Sequence, residues 1–420
     1  MTDLTTRMLD LGRRARAAAR DLREAPAEAR TQALTRLADR LRAAEADILA
    51  ANARDVAAAR AGGMTDALID RLTLTPARVA GMAEAVAAIA AVPDPLGVET
   101  QRWTPANGLD IARVRTPIGV LGVIYESRPN VTADAAALCI RSGNAAILRC
   151  GSDCLQSSLA IAKVVAGALA DAGLPVDAVQ LVDTPDRDAV GLMLSGLDGA
   201  IDLLIPRGGK SLVARVKAEA RVAVLGHLEG LNHTYLHAAA DLETARRVTL
   251  NAKMRRVSVC GATETLLVDR AAAETLLPPV AADLTAAGCE LRGDEAARAL
   301  VPGMTPATEA DWTTEYLAPI LSVAVVDDLD AAAAHIARYG SAHTEAIVTT
   351  DAEAAERFAA QVDSAIVLIN ASTQFADGGE FGFGGEIGIS TDRLHARGPV
   401  GAEQLTTYKY VVRGQGQTRP

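Results

Sequence analysis

The clearest candidate for covalent chemistry is Cys260, in the stretch NAKMRRVSVCGATETLLVD that spans residues 251 to 269. The first half of the stretch is typical of a helix and the second half of a strand, with Cys260 at the junction. Lys253, Arg255 and Arg256 come shortly before it. Nearby cations can lower the pKa of a thiol and favour the nucleophilic thiolate, but free cysteines are more often buried and unreactive. These residues alone leave both interpretations open.

A second candidate is the turn IPRGGKSLV, residues 205 to 213, which places Gly208, Gly209 and Lys210 between a predicted strand and a predicted helix. Backbone N–H groups at the N-terminus of a helix can bind phosphate. The spacing is not that of a P-loop, and the chain contains no GxGxxG fingerprint. A phosphate-binding turn and a plain tight turn fit these residues equally well.

Three histidines, His227, His233 and His237, raise the question of a metal site. Only His233 and His237 have the i, i+4 spacing of a helical ligand pair, and the surrounding HTYLHAA is more typical of a strand. No carboxylate is placed to complete a ligand set. We therefore predict no metal.

The segment FADGGEFGFGGEIG, residues 375 to 388, contains six glycines in a short span. A flexible linker would have this glycine content. Three of the chain's four phenylalanines, Phe375, Phe381 and Phe383, also lie here. Their presence predicts a packed, functional loop rather than a linker.

Composition narrows the class of protein. The chain has 420 residues, which favours two or three domains. Its net charge of −10 argues against a general nucleic-acid-binding protein. The five cysteines form no CxxC pair, which is typical of reduced thiols in a cytoplasmic enzyme. No apolar run reaches the roughly 18 residues of a membrane span, so we expect no membrane association.

The pattern of predicted elements indicates an α/β protein. The first ~90 residues have helical periodicity, and Asn107-Gly108 predicts a hairpin over residues 101 to 116. Apolar strand-length runs then alternate with helices, first from residue 117 and again after residue 230. LTTYKYVVRG near the C-terminus predicts a last strand. Such alternation is typical of βαβ units around buried parallel sheets.

Five long motifs resemble those of the γ-glutamyl phosphate reductases, also called glutamate-5-semialdehyde dehydrogenases, in the aldehyde dehydrogenase superfamily. The motifs are TPIGVLGVIYESRPNVTADAAALCIRSGNAAILR, IPRGGKSLV, NAKMRRVSVCGATETLLVD, TEYLAPILSVAVVDDLDAAAAHIARYGSAHTEAIVT and NASTQFADGGEFGFGGEIGISTDRLHARGPVG. The resemblance implies an aldehyde dehydrogenase-like fold of two parallel-sheet α/β domains with a small β element. Residues 1–98 and 117–227 would form a Rossmann-like NADP-binding domain, 228–390 the catalytic domain, and 99–116 with 400–415 the oligomerisation element.

The resemblance also implies a reaction. NADPH would reduce L-glutamyl 5-phosphate to L-glutamate 5-semialdehyde with release of phosphate, through a cysteine thioester, as the second step of proline biosynthesis. Glutamate 5-kinase would be the pathway neighbour, and the chain would be a cytoplasmic homo-oligomer. The alternative is a related aldehyde dehydrogenase-type enzyme that reduces another acyl phosphate or acts on a free aldehyde.

Residue roles follow from the same resemblance. Cys260 matches the nucleophile, and Asn130 matches the donor to the oxyanion. Arg149 and Ser152 fall where members of the superfamily hold the adenosine ribose. A serine there, in place of a carboxylate, would leave room for a 2′-phosphate that Arg149 could pair with, which favours NADP over NAD. Gly208 and Gly209 would approach the pyrophosphate or the nicotinamide.

Binding of the substrate needs cations for the glutamyl carboxylate and the phosphate. The candidates are Lys253, Arg255, Lys210 and Arg397.

Oxidative aldehyde dehydrogenases use a glutamate to activate the water that hydrolyses the thioester. In the matching GHLEGLN, spacing to Cys260 places His227 nearer that position than Glu229, which fits a reductase that has no need for this water.

Overall fold

The computed structural model describes residues 3–419, apart from the side chain of Ala67. Contacts divide the chain into two units. The first contains the residues up to Gly226, Gly382–Gly388 and the residues from Val400 onwards. The second contains His227–Phe381 and Ile389–Pro399.

The first unit begins with five helices, which confirms the predicted helical region. They are amphipathic or alanine-rich, and their apolar sides are buried. Leu34, Leu37 and Leu41 of the second helix are fully buried, as their helical spacing requires. The five helices are α1 (Asp3–Glu24), α2 (Ala27–Ala43), α3 (Glu45–Ala61), α4 (Asp66–Leu72) and α5 (Pro76–Ala91).

The predicted hairpin follows as β1 (Glu99–Trp103) and β2 (Asp110–Pro117), paired antiparallel. Gly108 in its turn has a φ of +74°, a conformation that glycine adopts without strain. The Asn-Gly signal therefore placed this turn correctly.

A parallel sheet of five strands forms the core of the first unit, in the order β5-β4-β3-β6-β7. Every residue of β3 and β4 is buried, as expected for strands covered on both faces. The strands are β3 (Val120–Tyr125), β4 (Ala145–Cys150), β5 (Val179–Leu181), β6 (Leu203–Arg207) and β7 (Ala223–Val224). The helices between them are α6 (Val131–Arg141), α7 (Leu155–Asp171), α8 (Asp188–Leu194) and α9 (Lys210–Glu219).

One segment among the described residues, Ser152–Asp171, is long and apolar enough to cross a membrane by length and composition. It includes α7, which contacts α2 and α3 within the first unit. Core helices of soluble proteins meet the same criterion, so this segment is weak evidence for a membrane span.

The second unit contains a seven-stranded parallel sheet in the order β11-β10-β12-β9-β8-β13-β14. Its strands are β8 (Asn232–Leu236), β9 (Thr263–Asp269), β10 (Glu290–Gly293), β11 (Thr305–Pro306), β12 (Ile320–Val326), β13 (Thr344–Val348) and β14 (Ile366–Ile369). Its helices are α10 (Leu242–Met254), α11 (Ala273–Ala286), α12 (Glu295–Leu300), α13 (Leu329–Tyr339) and α14 (Ala352–Gln361). A short antiparallel pair, β15 (Ile389–Ser390) and β16 (Gly398–Pro399), completes the unit.

The chain ends with β17 (Thr406–Arg413), which pairs antiparallel with β2. Together β1, β2 and β17 form a separate three-stranded sheet within the first unit. Two parallel-sheet α/β regions and a small antiparallel element are thus present, and the predicted fold class is confirmed.

The glycine-rich segment 375–388 differs from the prediction of a packed loop. Phe375 is 48% exposed and Phe381 is 41% exposed. Only Phe383 of the three phenylalanines is partly buried. Phenylalanines in a glycine-rich stretch were therefore a poor guide to burial.

Candidate active site

Cys260 lies in a turn between the end of α10 and the start of β9. All five cysteines lie in the described part of the chain, and Cys260 alone among them is partly exposed. Burial raises the pKa of Cys139 to about 12 and that of Cys289 to about 11. A thiol must be accessible and able to ionise before it can act as a nucleophile. Cys260 is therefore the best placed of the five cysteines for covalent chemistry.

The turn at Cys260 is held by the fully buried side chain of Asn232, the first residue of β8. Asn232 Nδ2 donates hydrogen bonds to the carbonyl oxygens of Cys260, at 2.6 Å, and Ala262, at 2.9 Å. Its Oδ1 accepts from the backbone N–H of Thr344, at 3.2 Å. One amide thus connects the turn to two neighbouring strands. It fixes the backbone of the turn that carries the Cys260 thiol.

Gly230 approaches the same backbone closely. A Cβ added at Gly230 would lie 2.1 Å from the carbonyl oxygen of Cys260 and 2.9 Å from its Cα. No side chain fits at such distances, and backbone atoms cannot move aside as a flexible side chain can. Glycine is required here because the chain before β8 packs directly against the turn.

Two histidines lie beside the thiol. One ring nitrogen of His227, one of His343 and the Sγ of Cys260 all lie within 4.8 Å of one another. Each residue comes shortly before one of three adjacent parallel strands, β8, β13 and β9 respectively. The amino ends of adjacent parallel strands lie at the same edge of a sheet. The sheet order therefore explains why these three residues meet.

The cations that precede Cys260 have different environments. Lys253 is fully buried, and its Nζ donates to Glu264 Oε2 at 2.5 Å. Burial raises the pKa of Glu264 to about 7, although the charge of Lys253 opposes this rise. Arg255 and Arg256 are exposed. The ion pair with Glu264 already satisfies the ammonium of Lys253 inside the protein. A role of Lys253 in substrate binding stays a prediction.

The structure also shows the surroundings of the other two candidate substrate cations, Arg397 and Lys210. Arg397 Nη1 donates to Asp363 Oδ1 at 2.7 Å, and its Nη2 donates to the Asp363 carbonyl. Lys210 is exposed at the first position of α9, directly after Gly209. The substrate-binding roles of Arg397, Lys210 and Arg255 likewise stay predictions.

In the first unit the predicted cofactor residues and the predicted oxyanion donor Asn130 lie at the ends of three adjacent strands of the parallel sheet. Arg149 and Ser152 lie at the end of β4, Asn130 follows β3, and Gly208 and Gly209 follow β6. β4 and β6 lie on opposite sides of β3, so the direction in which successive strands are added to the sheet reverses at this point. Ligands of open α/β sheets bind at the carboxyl ends of strands at such a switch point. The residues therefore fit a nucleotide site, and their individual roles stay predictions.

Arg149 has the environment of an anion-binding side chain. It is 7% exposed, and its Nη2 donates to the carbonyl of Pro185 at 3.1 Å. Within the described residues its Nε has no hydrogen-bond partner and the side chain forms no ion pair. A buried guanidinium without a carboxylate is costly unless an anion binds to it. Ser152 nearby in the chain is exposed.

Asn130 is oriented by a residue that the sequence analysis did not select. Asn130 Nδ2 donates to Asp134 Oδ2 at 2.9 Å, one turn along α6. Burial raises the pKa of Asp134 from 3.8 to about 6, although the hydrogen bond from Asn130 lowers it. Because a primary amide has two N–H groups, Asn130 keeps a second donor for another acceptor.

Four residues of these sites were missed from the sequence: Asp134, Gly230, Asn232 and His343. The i, i+4 spacing of Asn130 and Asp134 on a predicted helix was a usable signal. The other three depend on which strands are neighbours in the second sheet, and no local pattern contains that information.

Replacing Asn232 with alanine tests its role in the turn. We expect the free energy of unfolding to fall by about 1–3 kcal/mol, because the buried carbonyl of Ala262 and the partly buried carbonyl of Cys260 lose their donor. Alkylation of Cys260 by iodoacetamide should also change in rate, since the turn is no longer fixed. Denaturant unfolding and thiol-labelling kinetics measure the two effects. Asn251→Ala, at an exposed site on α10, is the control, and equal stability of the two variants would contradict this role.

Comparisons with known proteins agree with this geometry. The sequence profile of the aldehyde dehydrogenase family matches residues 8–297 and 299–411. A γ-glutamyl phosphate reductase of Caulobacter vibrioides is 68% identical over 413 residues, which is 98% of this chain and 100% of the relative. One of Rhodospirillum rubrum is 62% identical over 418 residues, covering 100% of this chain and 98% of the relative.

Solved structures give the same result. The crystal structure of a γ-glutamyl phosphate reductase from Thermotoga maritima superposes with a TM-score of 0.95 at 42% identity, covering 98% of this chain and 100% of that one. The fold and the profile define an oxidoreductase of the aldehyde dehydrogenase type. Within that class, the chain belongs to the γ-glutamyl phosphate reductase family.

Proposed function

We propose that this protein reduces L-glutamyl 5-phosphate to L-glutamate 5-semialdehyde with NADPH and releases phosphate, the second step of proline biosynthesis from glutamate. The observation that carries the proposal is the partly exposed Cys260, fixed in a turn by Asn232, in a chain that matches named reductases over almost its whole length. Glutamate 5-kinase supplies the acyl phosphate in the cytoplasm.

The chemistry centres on the thiol of Cys260. Its thiolate attacks the acyl carbon of the substrate, the C–O bond to phosphate breaks, and a thioester forms. NADPH, when bound, supplies a hydride. The thioester carbon accepts this hydride, and collapse of the resulting thiohemiacetal breaks the C–S bond. Aldehyde leaves, and the cysteine is regenerated.

His227 is the proton acceptor that we propose for the thiol. Its Nδ1 lies 2.8 Å from the carbonyl oxygen of Ile389. Since a carbonyl can only accept, Nδ1 carries the hydrogen and Nε2 carries the lone pair. An imidazole that is neutral at Nε2 can take the proton of a nearby thiol. The position of His227, instead of a glutamate, fits a thioester that meets hydride or phosphate rather than water.

The first unit binds NADP in this proposal, and the second carries the nucleophile. Residues 1–98 and 117–227 hold the cofactor, with Arg149 and Ser152 at the ribose and Gly208 and Gly209 at the pyrophosphate or nicotinamide. Residues 228–390 form the catalytic domain. The exposed Lys210 and Arg255 bind the anionic groups of the substrate in this proposal. Arg397 and Lys253 are the other two candidates, and each is already paired with a carboxylate, Asp363 and Glu264 respectively.

Removal of the Arg149 side chain tests the cofactor preference. We expect Arg149→Ala to raise the KM for NADPH about 10–100-fold, because a charge-assisted hydrogen bond to the 2′-phosphate is worth about 1.5–3 kcal/mol. The KM for NADH should change far less. Arg20→Ala on α1, at an exposed site, is the control. Equal losses for the two cofactors would show that Arg149 does not recognise the 2′-phosphate.

Self-association is the proposed role of the three-stranded sheet formed by residues 99–116 and 400–415. Tyr408, Tyr410 and Val412 alternate along β17 and are each about half exposed, at 49%, 55% and 51%. Trp103 of β1 packs edge-on against Tyr410, with ring centroids 5.9 Å apart. Alternate residues of a strand share one face. This apolar face is suited to contact with a second copy of the chain.

An aspartate substitution on each face of β17 tests the association. Tyr410→Asp places a charge within the apolar face and should shift the sedimentation coefficient to that of a smaller species. Lys409→Asp, one residue away on the opposite face, should leave it unchanged. A wild-type chain that sediments as a monomer at micromolar concentration would refute the homo-oligomer.

The substrate is tested by comparing acyl phosphates. Purified protein is supplied with glutamyl phosphate formed in situ by a kinase, and NADPH consumption is followed. Aspartyl phosphate and free aldehydes are offered in parallel. Activity on glutamyl phosphate well above that on the others supports the proposal. Activity on aspartyl phosphate with none on glutamyl phosphate would favour the alternative, a related reductase of another acyl phosphate.

A further inference from the structure

The side chains around Cys260 form a set of metal ligands. The Sγ of Cys260 and one ring nitrogen each of His227 and His343 lie within 4.8 Å of one another. We propose that these three residues bind Zn²⁺, and that the bound ion reversibly blocks the nucleophile. The binding stands on this geometry alone, whereas the inhibition rests on the proposed function of Cys260.

The donor set has the chemistry of a zinc site. Thiolate and imidazole are preferred zinc ligands, and three protein ligands with an open fourth position are typical of accessible zinc sites. Carboxylate-rich sites bind magnesium or calcium, but this trio contains no carboxylate. The ligand set therefore selects zinc or another thiophilic divalent ion.

One nitrogen of each imidazole, Nδ1, is already hydrogen-bonded, so Nε2 is the nitrogen that would bind the metal. His227 Nδ1–H donates to the Ile389 carbonyl, at 2.8 Å. His343 Nδ1 is hydrogen-bonded to Thr344 Oγ1, also at 2.8 Å. Metal-binding histidines almost always use the nitrogen that does not bind the metal in this way, which fixes the ring orientation.

His343 supplies independent evidence for a ligand. Its Nε2 is buried and has no hydrogen-bond partner within the described residues. An unsatisfied buried polar atom destabilises the folded protein, and a metal bound at this nitrogen would satisfy it.

Small movements would complete the site. Zinc lies about 2.3 Å from sulfur and about 2.0 Å from nitrogen, so tetrahedral ligands are about 3.5 Å apart. The donors must close by about an ångström, most simply by rotation of the Cys260 side chain. On binding, the S–H bond breaks, a Zn–S bond forms, and the proton is released to solvent. No oxidant or reductant is needed.

Cobalt spectroscopy tests the binding without any substrate. The full-length protein is freed of metal with a chelator and titrated with Co²⁺ under anaerobic conditions. We expect a thiolate-to-cobalt absorption band that saturates at one ion per chain and disappears when Zn²⁺ is added. Cys260→Ser should abolish the band, and His343→Asn and His227→Asn should each weaken cobalt binding at least about tenfold. Cys289→Ser and His237→Gln are matched controls outside the cluster and should bind as the wild type does.

The outcomes separate the two claims. A band that survives in Cys260→Ser, no saturation at one equivalent, or unchanged binding in both histidine variants would overturn the zinc site. If the site forms, Zn²⁺ should inhibit NADPH consumption, excess chelator should restore it, and the controls should be equally sensitive. Cobalt binding as described in a protein with no reductase activity would refute the inhibition and the proposed function, and would leave the metal site standing.

Discussion

Cys260→Ala is expected to reduce turnover of glutamyl phosphate by more than about a thousandfold. Without the thiol no thioester can form, and phosphate has no other nucleophile to displace it. Binding of NADPH should stay close to wild type, because no predicted cofactor residue is changed. Enzyme assays and fluorescence titration with NADPH measure the two properties.

Cys289→Ser is the matched control for this variant. Cys289 is a free cysteine of the second unit, buried with 5% exposure. It should be fully active if the fold tolerates the substitution, which thermal unfolding checks. A Cys260→Ala protein that keeps more than a few per cent of wild-type turnover would show that Cys260 is not the nucleophile.

Asn130→Ala is expected to lower kcat about 10²–10³-fold, the usual cost of removing one donor to an oxyanion. KM should change less, since the interaction is strongest when negative charge develops on the acyl oxygen. Asp134→Ala should have a smaller effect of the same kind, because Asp134 acts only by orienting Asn130. Asp134→Asn should restore activity, as its amide oxygen can accept the same hydrogen bond. A rise in KM with kcat unchanged, or no rescue by Asp134→Asn, would contradict these roles.

Asp134 also predicts a dependence of stability on pH. Its pKa in the folded protein, about 6, lies above the ordinary 3.8. The contribution of Asp134 to the free energy of unfolding is therefore fully present below about pH 4 and is lost as pH rises through 6. The loss should reach about 3 kcal/mol relative to Asp134→Asn, since each pKa unit is worth about 1.36 kcal/mol. Denaturant unfolding of both proteins at several pH values measures it, and parallel curves would refute the raised pKa.

Much of the fold could be predicted from local patterns. Helical periodicity, an Asn-Gly turn and the alternation of apolar runs with helices each report on short stretches of chain, and each of these elements formed as expected. The resemblance of long motifs then identified the family, which the full-length relatives confirm. Burial within a loop was less predictable, as the exposed Phe375 and Phe381 show.

The environment of Cys260 was less accessible to sequence reasoning. His343 and Asn232 lie far apart in the chain and meet the turn because β9, β8 and β13 are neighbours. Lys253 was named as a candidate substrate cation, and a sequence does not reveal that Glu264 pairs with it inside the protein. In the sequence, His227, His233 and His237 could be judged as metal ligands only by their spacing along the chain. The group of side chains that the fold brings together, and that we propose as a metal site, combines one of them with Cys260 and His343.

If an acyl group passes between phosphate and Cys260 without hydrolysis, the reverse reaction must depend on phosphate. Purified protein is given glutamate 5-semialdehyde and NADP⁺, with and without inorganic phosphate, and NADPH formation is recorded. We expect steady turnover only when phosphate is present, with an acyl phosphate product that hydroxylamine traps as the hydroxamate. Equal rates without phosphate, with free glutamate as the product, would contradict it.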